Sequence, residues 1–260
     1  MNNKTCITVL SLALAGCANV PGKGDPRDPL EGYNRAVYQF NDTLDRAVLK
    51  PVAQGYDKVV PGLIKTGIRN FFSNLGEVVI ITNDFLQGKG EQGLSDTGRF
   101  LMNSTIGLVG LFDIATPAGL PKNNEDFGQT LGKWGVASGP FFMLPFLGPS
   151  TVRDAPARLV DSQLQYFAVV DNVPVRNSAY VVETIDNRAG LLGASNILGE
   201  AALDPYTFLR DAYLQRRQQL VYDGNPPKNK DEFDDAEDPE APAQPGKPAK
   251  DGNSESKSKP

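Results

Sequence analysis

Nineteen consecutive uncharged residues, WGVASGPFFMLPFLGPSTV, lie between Lys133 and Arg153, and they constrain the fold more than any other stretch. The run is long enough to cross a bilayer, which takes about 20 apolar residues in a helix. It is interrupted by Pro140, Pro145 and Pro149, and a proline inside a helix costs about 3 kcal/mol. A straight transmembrane helix is therefore excluded. Two alternatives remain: a buried loop of a globular core, and a re-entrant element at membrane depth that lines a polar cavity.

The beginning of the chain favours the membrane alternative. Residues 1–16 have the pattern of a secretory signal, with an apolar run over 7–14 followed by small residues. The tetrapeptide LAGC that ends at Cys17 resembles the bacterial lipobox, which implies cleavage before Cys17 and acylation of its sulfur and its new amine. Residue 18 is alanine, as in lipoproteins sorted to the outer membrane; an aspartate there would resemble lipoproteins kept at the inner membrane. The alternative is a plain signal peptide followed by a chance cysteine.

The composition excludes several classes of function. The 260 residues include no histidine, which removes the commonest general base and the commonest metal ligand. We therefore expect no enzyme, no metal and no cofactor, and a carboxylate-based hydrolase is the one enzyme class left open. The 26 Lys and Arg against 31 Asp and Glu give no basic excess, so nucleic acid is not an expected partner. Mean hydropathy is −0.31, so membrane contact must come through amphipathic faces.

Composition also divides the chain into four segments. Residues 224–260 hold seven prolines, nine acids and six lysines but only one large apolar residue, Phe233. Such a segment cannot bury enough surface to offset its ordering entropy, so we predict a disordered acidic tail, either solvated or binding a basic partner. The other predicted segments are a signal peptide at 1–16, a lipidated linker at 17–27 and a helical domain at 28–223.

The helical domain is predicted from apolar spacing and from helix-start signals. Asp28 and Asp204 each precede a proline, which predicts a capped helix start. The first helix is expected to reach Lys50 and to end at Pro51. The last helix is expected to bury its apolar side and to turn its arginines elsewhere. Further helices are predicted at 64–75, 99–106, 157–167 and 175–192.

Two short stretches imitate nucleotide-binding motifs. A β-branched run at 78–82 precedes a GxGxxG pattern at 88–93, but five residues separate them and no alternating strand and helix pattern follows. We interpret 88–93 as part of a loop between two helices. The GQTLGK stretch at 128–133 is one residue too short for a phosphate loop and is followed by Trp134, where that motif needs Ser or Thr.

Six blocks of the sequence together resemble the MlaA (VacJ) lipoproteins of Gram-negative bacteria. The blocks are DPLEGYNR at 28–35, NFFSNL at 70–75, FGQTLG at 127–132, residues 139–140 with LPFLGPS at 144–150, residues 153–154, and residues 204–206 with RDAY at 210–213. The resemblance implies a ring-like bundle of amphipathic, partly broken helices in the inner leaflet of the outer membrane. It also implies that the protein removes misplaced phospholipid from the outer leaflet through a central amphipathic channel. The implied partners are trimeric porins and the periplasmic lipid carrier MlaC.

Candidate residues for the lipid path lie in and beside the uncharged run. Glycines at 128, 132, 135 and 139 recur every three or four residues, a spacing typical either of helix packing or of channel lining; Gly132, Gly135 and Gly139 are our candidates. Lys133 and Arg153 flank the run, and either can bind a lipid phosphate. The alternative for Arg153 is an ion pair with a nearby acid such as Asp154.

Two functions from different classes follow. The first is phospholipid transport without chemistry, by a protein anchored through Cys17 at the periplasmic face of the outer membrane. The second is a structural envelope lipoprotein that docks porins and moves no lipid.

Overall fold

The computed structural model describes residues 24–195 and 202–227. By its internal contacts the chain divides into a first unit of residues 1–226 and a second unit of residues 227–260. Only Pro227 of the second unit is described. The predicted signal peptide and the lipid anchor Cys17 lie outside the described residues, as do most of the predicted linker and tail.

The first unit is predominantly helical, which confirms the predicted fold class, and it also contains one β-hairpin that was not predicted. Within the described residues the helices are α1 (Glu31–Leu44), a π-helical segment (Asp45–Leu49), α2 (Lys50–Val59), α3 (Gly62–Leu86), α4 (Gly90–Thr105), α5 (Phe127–Lys133), α6 (Asp154–Ser162), α7 (Tyr166–Val169), α8 (Val173–Gly190) and α9 (Pro205–Val221). The strands are β1 (Phe141–Leu144) and β2 (Gly148–Thr151).

The hairpin occupies the centre of the uncharged run. Strand β1 pairs antiparallel with β2, from Phe141 opposite Thr151 to Leu144 opposite Gly148. This pairing satisfies backbone groups that the prolines would leave without a helical partner. Side chains alternate along β1, so Phe141 is buried. Phe146, in the turn after the strand, is 73% exposed. The run therefore has a buried base and an exposed apolar tip.

Two asparagines of α1 hold the hairpin. The Asn34 side chain donates to the carbonyl of Phe141 (3.2 Å) and accepts the amide of Met143 (2.8 Å). Asn41, seven residues and two helical turns later, makes the same pair of bonds at the hairpin's turn. Asn34 is fully buried, and Phe141 and Met143 pack with Tyr206 in the one apolar core cluster of the described chain.

Asp28 does not cap the first helix, so that prediction was wrong. Helix α1 begins at Glu31 without a side-chain cap. Asp28 is instead buried and accepts hydrogen bonds from Asn34 (2.7 Å), from the Tyr206 hydroxyl (2.5 Å) and from Arg210 (3.4 Å). The carboxylate accepts from one side chain of α1 and two of the distant α9 instead of capping the first amides of α1, because three side-chain donors satisfy it better than local amides do.

Pro51 does not end the first helical run, which was also predicted wrongly. The chain passes through the π-helical segment Asp45–Leu49 and continues as α2 to Val59, with the proline in the first turn of α2. A proline is tolerated in a first turn, because its missing amide is not needed there, and the wider π turn separates α1 from α2.

Helix α9 buries arginine and exposes phenylalanine, opposite to what was predicted. Its buried residues include Arg210 and Arg217, whereas Phe208 is about half exposed. The predicted cap is confirmed, since Asp204 accepts the amides of Tyr206 (3.1 Å) and Thr207 (3.4 Å). An arginine can be buried here because carboxylates of other elements reach it.

Burial of polar residues and exposure of apolar ones extend over the described chain. Buried polar and charged residues outnumber buried apolar residues by about two to one, and large apolar side chains such as Val59 (80% exposed) and Leu63 (79% exposed) face outward. Helix α3 includes the β-branched run at 78–82, and residues 87–89 form the short connection to α4. The predicted loop at 88–93 is thus confirmed at 88–89 only, because residues 90–93 are the first turn of α4. None of the described helices combines the length and apolar character that crossing a membrane requires.

Candidate functional site

The Arg217 side chain joins three helices through charged hydrogen bonds. Its guanidinium donates to both oxygens of Asp126 (2.5 and 3.0 Å) and to Asp154 (3.1 Å). Asp126 is the N-cap of α5, where it also accepts the amide of Gln129 (2.9 Å). Asp154 opens α6 and also accepts from the Tyr213 hydroxyl (3.0 Å). The network therefore fixes α5, α6 and α9 to one another.

The pKa values in this network show that charge pairing outweighs burial. Burial raises the pKa of Asp154, but the charge of Arg217 and the hydrogen bond of Arg153 lower it below its usual value. Burial likewise raises the pKa of Asp126, and the Arg217 hydrogen bond brings it below the usual value. Burial, followed by the charge of Asp154, raises the pKa of Tyr213 to about 12. The carboxylates stay ionised and the phenol stays neutral at physiological pH.

A cavity of about 690 Å³ borders this network. Its walls come from α3, α5, α6, α8 and α9, and from the turn of the hairpin through Leu147. This volume lies within the range of about 300–1,000 Å³ that is usual for ligand sites. Helices of the first unit thus line a space large enough for part of an organic ligand.

The lining of the cavity is amphipathic. Its apolar part includes Val79, Ile80 and Phe167. Its charged part contains five carboxylates and two guanidiniums: Glu125, Asp126, Asp154, Asp161, Glu183, Arg158 and Arg217. A ligand with both a polar and an apolar portion would find complementary surfaces in one cavity.

Two shallower apolar grooves lie on the outside of α3. One, of about 290 Å³, is lined by Phe71, Phe72 and Val182 among others, and the other, of about 660 Å³, by Leu63 and Phe112 among others. Together with the exposed apolar residues of α2 and α3, they make an outer surface suited to contact with hydrocarbon.

Gly132 lies where two helices pack, as the helix-packing alternative expects. A Cβ at Gly132 would come 2.7 Å from Arg153 Nη1 and 2.8 Å from a methyl carbon of Val221, and a Cβ at Gly128 would come 2.6 Å from Arg217 Nη2. Close approach of α9 to α5 therefore requires glycine at both positions. Gly128 lines the cavity, whereas Gly132 is not among the residues that border it.

Gly135 and Gly139 do not extend the helical face of Gly128 and Gly132, because α5 ends at Lys133. Both have a left-handed backbone, with φ of 92° and 69°, which favours glycine. A Cβ at Gly135 would meet open space, and one at Gly139 would come 3.2 Å from Val152 Cβ. They act in the connection to the hairpin, and their role in lipid passage stays a prediction.

The two predicted cations are both paired. Arg153 is buried, and its Nε lies 2.8 Å from Asp154, so the ion-pair alternative describes its contacts. Lys133 lies 3.4 Å from Asp223 in an exposed pair that Lys89 shares. Neither borders the 690 Å³ cavity. A phosphate contact by either residue also stays a prediction.

Sequence reasoning missed the cations and acids that do border the cavity. Arg217 follows Arg210 by seven residues and Tyr206 by eleven, which places all three on one helical face. That spacing could have indicated a buried charged face on α9. It was overlooked because a buried helical face was assumed to be apolar. Arg158 and Glu183 gave no comparable signal, since only the fold brings α6 and α8 to one cavity.

A polar interior, an apolar exterior and an amphipathic cavity between helices define a class of helical, membrane-associated protein. The model of the family described as MlaA lipoprotein matches residues 26–220. The chain is 36% identical over 218 residues to the "Intermembrane phospholipid transport system lipoprotein MlaA" of Escherichia coli (strain K12), with 81% of this chain and 85% of that protein covered. It is 34% identical over 244 residues to the protein of the same name from Haemophilus influenzae, with 90% and 97% covered.

A solved structure described as "Structural basis for maintenance of bacterial outer membrane lipid asymmetry" is also similar. It is 37% identical in sequence, superimposes with a TM-score of 0.67, and covers 75% of this chain and 98% of the solved chain. The chain belongs to the MlaA lipoprotein family. The family resemblance predicted from six sequence blocks is thereby confirmed.

Proposed function

We propose that this chain removes misplaced phospholipid from the outer leaflet of the outer membrane through the 690 Å³ cavity and so maintains lipid asymmetry. The proposal extends to this chain what the names of its relatives say of intermembrane phospholipid transport. The observation that carries it is the amphipathic cavity lined by helices whose outer faces are apolar. A phospholipid needs a polar path for its headgroup beside apolar surface for its tails.

The proposal includes a place in the cell and two partners. Lipidation at Cys17 would hold the protein at the periplasmic face of the outer membrane, with apolar surfaces of α2 and α3 in the inner leaflet. Trimeric porins would flank it, and the periplasmic carrier MlaC would receive the lipid. We also propose the four segments predicted from composition, in which the helical domain carries out transport and the tail at 224–260 is not needed for it.

Gly76 offers a way to block the cavity without crowding the core. This α3 residue lines the cavity, and a Cβ built on it meets nothing within 4 Å. Gly76→Trp should therefore fold, because replacing a helical glycine removes a penalty of about 1 kcal/mol, and should narrow the path. The matched control is Gly55→Trp on α2, where a Cβ also meets open space and the residue is not part of the cavity wall.

The test compares surface phospholipid with immunoblot level in a deletion strain carrying each variant. We expect Gly76→Trp to behave like the deletion at normal abundance and Gly55→Trp to behave like the wild type. If the deletion itself leaves surface phospholipid unchanged, the transport function is wrong and the structural, porin-docking function is favoured. If Gly76→Trp restores asymmetry fully, the lipid takes a path other than this cavity.

A further inference from the structure

One guanidinium in the cavity wall has no carboxylate partner within the described chain. Arg158, on α6, donates to the carbonyls of Leu147 (3.1 Å) and Pro149 (3.0 Å), both in the hairpin. A guanidinium has five N–H donors, so these two bonds leave donors for a further acceptor. The hairpin carbonyls orient the group, and its charge remains available to an anion in the cavity.

Two carboxylates of the same cavity, Glu183 and Asp161, have no cation within salt-bridge distance in the described part of the chain. Glu183, on α8, accepts one hydrogen bond, from the Tyr166 hydroxyl to its Oε2 (2.9 Å). Burial raises the pKa of Glu183, as expected of a carboxylate without a neighbouring cation. Phe167 and Tyr180 line the cavity with it, their ring centroids 6.2 Å apart and their planes nearly perpendicular.

The other charged groups of the cavity have partners, either an opposite charge or hydrogen-bond donors to their oxygens. Asp126 and Asp154 share Arg217, and Glu125 lies 2.8 Å from Lys89. Asp161 has no cation, but its oxygens accept the amide of Phe127 and the side chain of Asn83. Arg158 and Glu183 are thus the charged groups of the wall that are left open to a ligand.

From this pair of open charges we infer that the cavity selects zwitterionic phospholipids, with the phosphate at Arg158 and the headgroup ammonium at Glu183. Carboxylate and aromatic rings together are a favourable environment for an ammonium. An anionic glycerol headgroup offers the phosphate but nothing positive for Glu183. The inference rests on the proposed function, because it names the substrate class of the same cavity.

The test uses the full-length chain in mixed micelles with equal amounts of phosphatidylethanolamine and phosphatidylglycerol, and mass spectrometry of the lipids retained after purification. We expect the wild type to retain phosphatidylethanolamine about fivefold over phosphatidylglycerol, the factor that one partly exposed ion pair supplies. Glu183→Gln keeps the acceptor for Tyr166 and should abolish the preference. Its control, Glu91→Gln on the exposed side of α4, should retain it.

A second variant separates the two ends of the headgroup. Arg158→Gln should reduce retention of both lipids alike, since both carry the phosphate, and exposed Arg216→Gln is its control. Thermal unfolding of each variant shows whether the fold is intact. Equal retention of the two lipids by the wild type, or an unchanged preference in folded Glu183→Gln, overturns headgroup selection and leaves the transport function standing. Retention of neither lipid by the wild type overturns both.

Discussion

Replacing Arg217 by methionine removes the side chain that joins α5, α6 and α9. The contacts it loses determine how far the free energy of unfolding should fall. Asp154 is almost fully buried and loses one charged hydrogen bond, worth about 1.5–3 kcal/mol. Asp126 is about a third exposed, so its lost ion pair adds no more than about 1 kcal/mol. Asp154 keeps Arg153, which limits the damage. We expect a loss of roughly 2–4 kcal/mol in the free energy of unfolding.

This loss should depend on pH in a definite direction. In the wild type the pKa of Asp154 is lowered, so its pairing stabilises the fold above the carboxylate's unfolded pKa and ceases to do so as the pH falls through the lowered value. Removing Arg217 raises that pKa towards the value set by burial and Arg153. The difference in stability between wild type and variant should therefore be full above about pH 5 and should narrow below about pH 4.

The assay is thermal unfolding of the purified protein in detergent, followed by circular dichroism. For a domain of this size the expected loss is a fall in Tm of about 4–16 °C. Arg216→Met, at an exposed position of the same helix, should change the free energy of unfolding by less than about 0.5 kcal/mol. A fall no greater than that of the control, or a difference that is unchanged by acid, would refute the account of the network.

Three further predictions concern other parts of the chain. Cys17→Ala should abolish incorporation of labelled fatty acid and leave the precursor uncleaved, and continued labelling would refute the lipid anchor. A chain stopped after residue 223 should fold and restore lipid asymmetry, whereas a defect at normal protein level would assign a partner to the tail. Gly139→Leu forces a side chain onto a left-handed backbone, at about 1–2 kcal/mol, and against Val152. It should displace the hairpin, whose Leu147 borders the cavity, and raise surface phospholipid at near-normal immunoblot level; a defect proportional to abundance would contradict this.

The sequence predicted the positions of most helices, because apolar spacing and helix-start signals are local, but not all their bounds. The predicted helix at 157–167 is interrupted after Ser162, and the one predicted at 64–75 continues to Leu86. Asp204 caps α9 as its position before Pro205 predicts, and the GxGxxG stretch falls at a loop and helix start as its context required. The β-branched run at 78–82, which no predicted helix covered, lies inside α3, since tertiary packing overrides propensity.

The failures of prediction share a non-local cause. Asp28 binds residues of α9 more than 170 positions away, and the hairpin is held by Asn34 and Asn41 of α1, which lie about 100 positions before it. No local pattern reports such contacts. Four-residue strands are also too short for alternation to be recognised inside an uncharged run that contains three prolines.

The burial of polar residues and the exposure of apolar ones explain why hydrophobic patterns mispredict buried faces in this chain. They also explain why its cavity can be polar. In water, the outer apolar surface around Val59 and Leu63 would be exposed at a cost of about 25 cal/mol per Å². In contact with hydrocarbon it has no such cost, and the interior is then free to hold ion pairs such as that of Arg217 with Asp154, which fix geometry more than they add stability. Contact with hydrocarbon in place of water therefore accounts for both the apolar outer surface and the charged interior. If the proposed function holds, a helix bundle in contact with lipid can keep its charged side chains for the cavity, where a phospholipid headgroup would need them.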